Sequence, residues 1–247
     1  MIRTSNPMLN ERTFADFQDA PIASAERMTL RGTLIKSMAM LLLVMAAAGW
    51  TWNLARSGSA TVMPYLMGGM FGGLILCLAT SFKPEWSALT APLYAIAEGL
   101  VLGALSAILE TRYKGIAFQA VGLTFGTMFV MLSAYLSGWL RATERFRMVV
   151  IAATGGICLF YLVSLIVSLF GVSLPMFQQG SPLAIGIGLF VAAVAALNLV
   201  LDFDFIEQGS AQGAPKHMEW YGAFGLTVTL VWLYLAILRL LANTRRD

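Results

Sequence analysis

Seven apolar stretches, each about 20 residues long, dominate this chain. A helix needs about 20 such residues to cross roughly 30 Å of hydrocarbon. The stretches cover 32–52, 60–82, 88–109, 116–140, 148–170, 182–201 and 221–241. They are too long for strands and do not alternate, which excludes a transmembrane barrel. Only 12% of residues are charged and 58% are hydrophobic, against about 25% charged in an ordinary soluble domain. A soluble globular fold and a disordered chain are both excluded. The sequence predicts an all-α integral membrane protein with seven transmembrane helices. Residues 1–31 form a polar tail, and 32–247 form a single transmembrane domain. The short connections make sequential helices antiparallel neighbours and leave no room for a soluble insert.

The net charge of +3 comes from basic residues in short loops, so the bilayer explains them and nucleic acid is not an expected partner. One face carries Arg3, Arg12, Arg27, Arg31, Lys36, Lys83, Arg141, Arg145, Arg147 and Lys216. The other carries Arg56, Arg112, Lys114, Arg239, Arg245 and Arg246. The richer face belongs inside, which predicts a cytoplasmic N-terminus and an external C-terminus. No apolar signal region precedes the first span, which is expected to act as its own insertion signal. The segment 23–28 reads either as the start of an interfacial helix with Met28 and Leu30 toward lipid, or as a solvated tail. Trp50, Trp52, Trp86, Trp139, Trp220 and Tyr221 mark span edges and read as interfacial belts. Cys77 and Cys158 read as small hydrophobes rather than a disulfide.

Enzyme signatures are missing. The Gly-rich stretches lie inside apolar helices, so no phosphate-binding loop is present. One histidine, His217, does not make a zinc site of the usual composition. Ser173 and Ser181 sit in the loop on the opposite face from it. Neither catalysis nor a cofactor is expected.

The second span reads MGGMFGGL, which places Gly68/Gly72 and Gly69/Gly73 at GxxxG spacing. Such pairs admit a close helix, either inside the bundle or from another subunit. Gly186, Gly188, Ala192 and Ala196 give the sixth span a similar small-residue surface.

Charges at membrane depth are the informative positions, because they normally face the bundle interior or water and often mark ion or proton routes. Glu98 lies about ten residues into the third span, roughly 15 Å deep at 1.5 Å per residue. It is either part of such a route or a neutral carboxyl hydrogen-bonded to a neighbouring helix. Asp202, Asp204 and Glu207 end the sixth span, and Glu219 opens the seventh. Asp202 and Asp204 point about 200° apart on a helix, so one faces the bundle and the other the interface. Glu219, across a loop with Gly209, Gly213 and Pro215, can approach the inward aspartate. Three readings remain open: a proton-sensitive carboxylate pair, an oxygen site suited to Ca²⁺, or acids at the edge of a solvated loop. Lys36 and Lys83 share this face, and either can pair with an inward carboxylate. Arg239 reads as a snorkelling anchor.

Three segments carry a family resemblance: SNPMLNE, SFKPEWSALTAPLYAIAEGLVLGALSA, and LNLVLDFDFIEQGSAQGAPKHMEWYGAFGLTVTLVWLYLAILRLL. On them the chain resembles the Bax inhibitor-1 family, in its bacterial branch, over essentially its whole length. The resemblance implies six helices around a central seventh, in a bacterial inner membrane. It also implies a pH-sensitive Ca²⁺ leak. In that scheme two acids on the last two helices share a proton, and a basic residue near the end of the second helix holds the closed state. Asp202 matches the first acid and Lys83 lies close to the basic position. The second acid falls at Thr229, so either Glu219, Asp204 or Glu98 substitutes or the latch is absent. The family also contains a member resembling a modulator of a membrane-bound protease. A non-conducting regulator that binds a membrane protease or stress-response partner therefore stands as the alternative.

Overall fold

The computed structural model describes residues 27–58, 62–170 and 180–245. Most of the polar tail, the 171–179 segment with Ser173, and Arg246 lie outside the described residues, as does the start of the segment read as an interfacial helix. Among the described residues, seven helices are long and apolar enough to cross a membrane. They are α1 (Leu30–Arg56), α2 (Val62–Phe82), α3 (Ser87–Arg112), α4 (Ile116–Leu136), α5 (Glu144–Leu169), α6 (Pro182–Ala211) and α7 (Met218–Thr244). A single 3₁₀ turn, Pro84–Trp86, leads into α3.

Local chemistry sets the helix starts. The Thr29, Thr143 and Ser181 hydroxyls accept from the backbone N–H groups of Gly32, Phe146 and Ala184. Each satisfies one of the orphan donors of a first turn. Between α3 and α4 the chain reverses through Gly115 at φ +79°, a conformation that favours glycine. The Glu110 carboxylate accepts from the Gly115 and Ala117 N–H groups there, at 2.5 and 3.2 Å.

α7 is the most buried helix. It packs directly on α1, α3, α4 and α6, four of the six helices that the resemblance places around it, while α2 is held through α3 and α5 through α6. Tyr94, Leu199, Phe224, Leu233 and Ile237 are among the side chains filling the core. Leu42, Ile75 and Phe129 point outward, where a bilayer would solvate them.

Sequential adjacency holds only in part. α1 barely meets α2 and packs instead on α3, which also receives α2. The cause is a pair of glycines on α3. A Cβ at Gly99 would sit 2.5 Å from the Val44 carbonyl oxygen, and one at Gly103 would strike the Ala48 carbonyl and the Thr51 hydroxyl. α1 therefore rests on bare α3 backbone. On α2, Gly69 and Gly73 face Ala97, Glu98 and Val101 of α3, whereas Gly68 and Gly72 have nothing within 4 Å. Of the two GxxxG pairs, one has its partner inside the bundle and the other faces open space. Gly188 lies against Leu240 of α7, and Gly186 is open.

Two belt or lipid-facing expectations are corrected. Met28 is 2% exposed and packs with Phe205, Ile206, Ala214, Met218 and Tyr221. Its N–H donates to the Ala214 carbonyl at 2.6 Å, and Arg27 bridges to Pro215. Residues 27–29 thus form an extended strap pinned to the α6–α7 loop, not a helix. Leu30 does face outward. Tyr221 is buried under that strap, whereas Trp50, Trp86 and Trp139 are exposed as belt residues should be.

Candidate functional site: a buried carboxyl on the α6–α7 seam

Asp202 and Ile206 share the inward face of α6, and both are buried. Asp202 is 4% exposed. The Thr229 hydroxyl of α7 hydrogen-bonds its carboxyl, and Gly225, one turn away, leaves room for Oδ1. Among the described residues Oδ2 has no partner and no cation pairs with the carboxyl, and burying a charge without compensation is costly. Thr229 therefore occupies the place of a second acid and offers a hydroxyl instead. Toward the tail end of the bundle, a layer of Ile206, Gly222, Thr33 and Met28 closes over this seam.

Glu219 does not join Asp202. It is fully buried, and its carboxylate forms an ion pair with Lys36. Lys216 approaches Oε1 at 3.1 Å, and Thr29 donates to the same oxygen from its N–H at 2.9 Å and its hydroxyl at 2.8 Å. Gly32 is bare because any Cβ would land on this carboxylate. Of the two lysines on this face, Lys36 does pair with an inward carboxylate. Lys83 is exposed, lies 4.4 Å over the Trp86 ring and makes no ion pair among the described residues, so it holds no acid.

Asp204 points away from the seam and pairs with Arg147 of α5. Gln208 adds a hydrogen bond at 2.7 Å. Glu207 is exposed and accepts from the Tyr135 hydroxyl. Glu98, half-buried between α2 and α3, shares a hydrogen bond with Tyr94 and lies against Gly73. Tyr94 lies one turn earlier on α3 itself, so this bond is not the one to a neighbouring helix that the sequence reading offered. Asp202, Glu219 and Glu98 thus have three separate settings, and Asp204 and Glu207 share a fourth beside the α4–α5 turn. Among the described residues, no three His, Cys, Asp or Glu side chains converge to hold a metal ion, so the oxygen-cage reading of this cluster does not fit.

His217 ends the loop before α7, and its carbonyl accepts from Ser87 at 3.0 Å. Burial holds its imidazole below the ordinary value, with Glu85 opposing. The unfolded chain therefore binds the proton more readily. The stability gained from neutral His217 should fall as pH drops through the unfolded value of about 6.5. Thermal midpoints between pH 8 and 5 should fall less for His217→Gln than for the wild type. Parallel curves would exclude the effect.

An apolar groove of about 290 Å³ opens at the opposite end, between α1, α3, α4 and α7. Tyr234 and Ser106, hydroxyls 2.6 Å apart, lie at its wall. The sequence reading missed this pair, the Gly99/Gly103 surface and the buried Arg147. Gly99 and Gly103 carry the same GxxxG spacing noticed on α2. Arg147 gave no signal beyond its charge.

No curated protein and no solved structure gives a match. The family model described as Bax inhibitor 1 like matches residues 6–246. With nearly the whole chain covered, this seven-helix membrane protein belongs to the Bax inhibitor 1 like family.

Proposed function

We propose that the chain is a cation leak or transporter of a bacterial inner membrane, without enzymatic activity, with Ca²⁺ the favoured ion. Its N-terminus is cytoplasmic. The observation that supports this reading is Asp202, buried on the α6–α7 seam with one oxygen unpartnered among the described residues. A protonated Asp202 is compatible with a dry, closed seam. Loss of the proton leaves a charge that only water or a cation can satisfy, which favours separation of α6 from α7. Raising pH is therefore expected to open the route. Glu219, in the first turn of α7, ties down the strap that covers the seam, so its ion pairs oppose opening.

Ca²⁺ flux into proteoliposomes tests the reading. Wild-type flux should rise with pH, by at most about tenfold per pH unit for one titrating proton. Asp202→Asn should remove the pH response while keeping the side-chain shape. Flux that ignores pH, or that survives unchanged in the Asp202→Asn/Glu98→Gln double variant, overturns the mechanism. A chain with no flux leaves the non-conducting regulator as the family reading.

A further inference from the structure

A second cavity, of about 400 Å³, lies beside the α4–α5 turn and away from the Asp202 seam. Its walls bring together two cations and two anions: Arg141, Arg147, Asp204 and Glu207. Arg147 is 8% exposed. Its Nη2 donates to Asp204, but its Nε has no partner. A buried guanidinium with an unused N–H is costly and calls for an acceptor. Arg141, exposed on the rim, uses only Nε, which donates to the Gly138 carbonyl at 3.2 Å. Across the cavity, Glu207 accepts the Tyr135 hydroxyl on Oε2 and leaves Oε1 uncommitted.

The charge pattern limits the occupant. Two guanidiniums disfavour a metal ion, and two carboxylates disfavour a simple anion. A zwitterion carrying both an acceptor-rich anion and a donor cation satisfies both walls. Position adds a second limit. Leu136 and Trp139 beside the cavity are 74% and 86% exposed, and an exposed tryptophan at a span edge marks headgroup level. Met148 and Val149 on α5 extend the exposed apolar surface from there.

We propose that this cavity holds the phosphoethanolamine headgroup of a bilayer phospholipid. The phosphate accepts from Arg147 Nε and Arg141. The primary ammonium donates to Glu207. The acyl chains lie along the apolar surface beside Trp139.

Native mass spectrometry of the full chain, released from detergent after titration with defined lipids, tests this. Phosphatidylethanolamine should be retained about tenfold better than phosphatidylcholine, whose quaternary ammonium donates no hydrogen bond to Glu207. Both Arg141 and Glu207 are exposed, and replacing them leaves the Arg147–Asp204 pair intact: Glu207→Gln should abolish that preference, and Arg141→Gln should lower retention of both lipids. Equal retention of the two lipids by the wild type overturns the proposal, as does a preference that survives Glu207→Gln or retention that Arg141→Gln leaves unchanged. Tighter binding of phosphatidylglycerol than of phosphatidylethanolamine would reduce the site to an anion site and also overturn it. Soluble phosphoethanolamine is expected to compete only weakly, and competition as strong as the lipid's would assign the site to a free metabolite instead.

Discussion

Gly103→Leu should separate α1 from α3 and leave little folded protein. The new side chain has nowhere to go. Its first carbon would meet the Ala48 carbonyl and the Thr51 hydroxyl on α1, and neither backbone nor a helix-bound threonine can rotate aside. Overpacking a well-filled contact costs about 1–3 kcal/mol and sometimes more, and a collision with backbone belongs at the upper end. The thermal midpoint in detergent should drop by on the order of 10 °C, with loss of the monodisperse peak in size-exclusion chromatography. Gly72→Ala is the matched control. Its Cβ meets nothing within 4 Å, and alanine is favoured over glycine in a helix interior by about 0.5–1 kcal/mol. That variant should be neutral or slightly stabilised. Similar losses in both would remove the argument that α1 sits on bare α3 backbone.

Glu219→Ala is the second large effect. The carboxylate is the shared acceptor for Lys36, Lys216 and both donors of Thr29. Removing it strands a half-buried ammonium and an N–H at a helix start. Breaking a buried pair in this way costs about 3–5 kcal/mol. The strap at residues 27–29 should detach, so limited proteolysis should cut at Arg27 or Arg31 in the variant and spare the wild type. Replacing both partners, as in Lys36→Met with Glu219→Leu, should recover much of the loss, because a paired apolar contact leaves no charge unsolvated. If Glu219→Ala resists protease and heat as the wild type does, the knot contributes nothing to the fold.

The seven spans were legible because hydrocarbon thickness imposes a length that composition reveals. Their ends were less so. The apolar run of the sixth span stops at 201, yet α6 continues to Ala211. Asp202 and Asp204 find Thr229 and Arg147 within the protein, so helical structure persists where hydropathy stops. That Asp202 and Asp204 face opposite ways followed from helix geometry, but which of them turns inward did not. The separation of the acids did not, because which cation each one meets is decided between helices far apart in sequence. The α1–α3 contact shows the same limit. The GxxxG spacing of Gly99 and Gly103 marks a close approach without naming the helix that makes it. Met28 faced lipid only in the interfacial-helix reading of the tail, but backbone pairing with Ala214 turns it into the core.

The strap also bears on the order of assembly. Thr29 and Glu219 are separated by 190 positions, so the first helix cannot be sealed at its start until the last one has entered the bilayer. A ribosome-bound intermediate with six spans would carry Lys36 and the Thr29 donors without an acceptor. Completion of the chain and closure of the bundle are thereby coupled, and a truncated product would present an unsealed end to quality-control proteases.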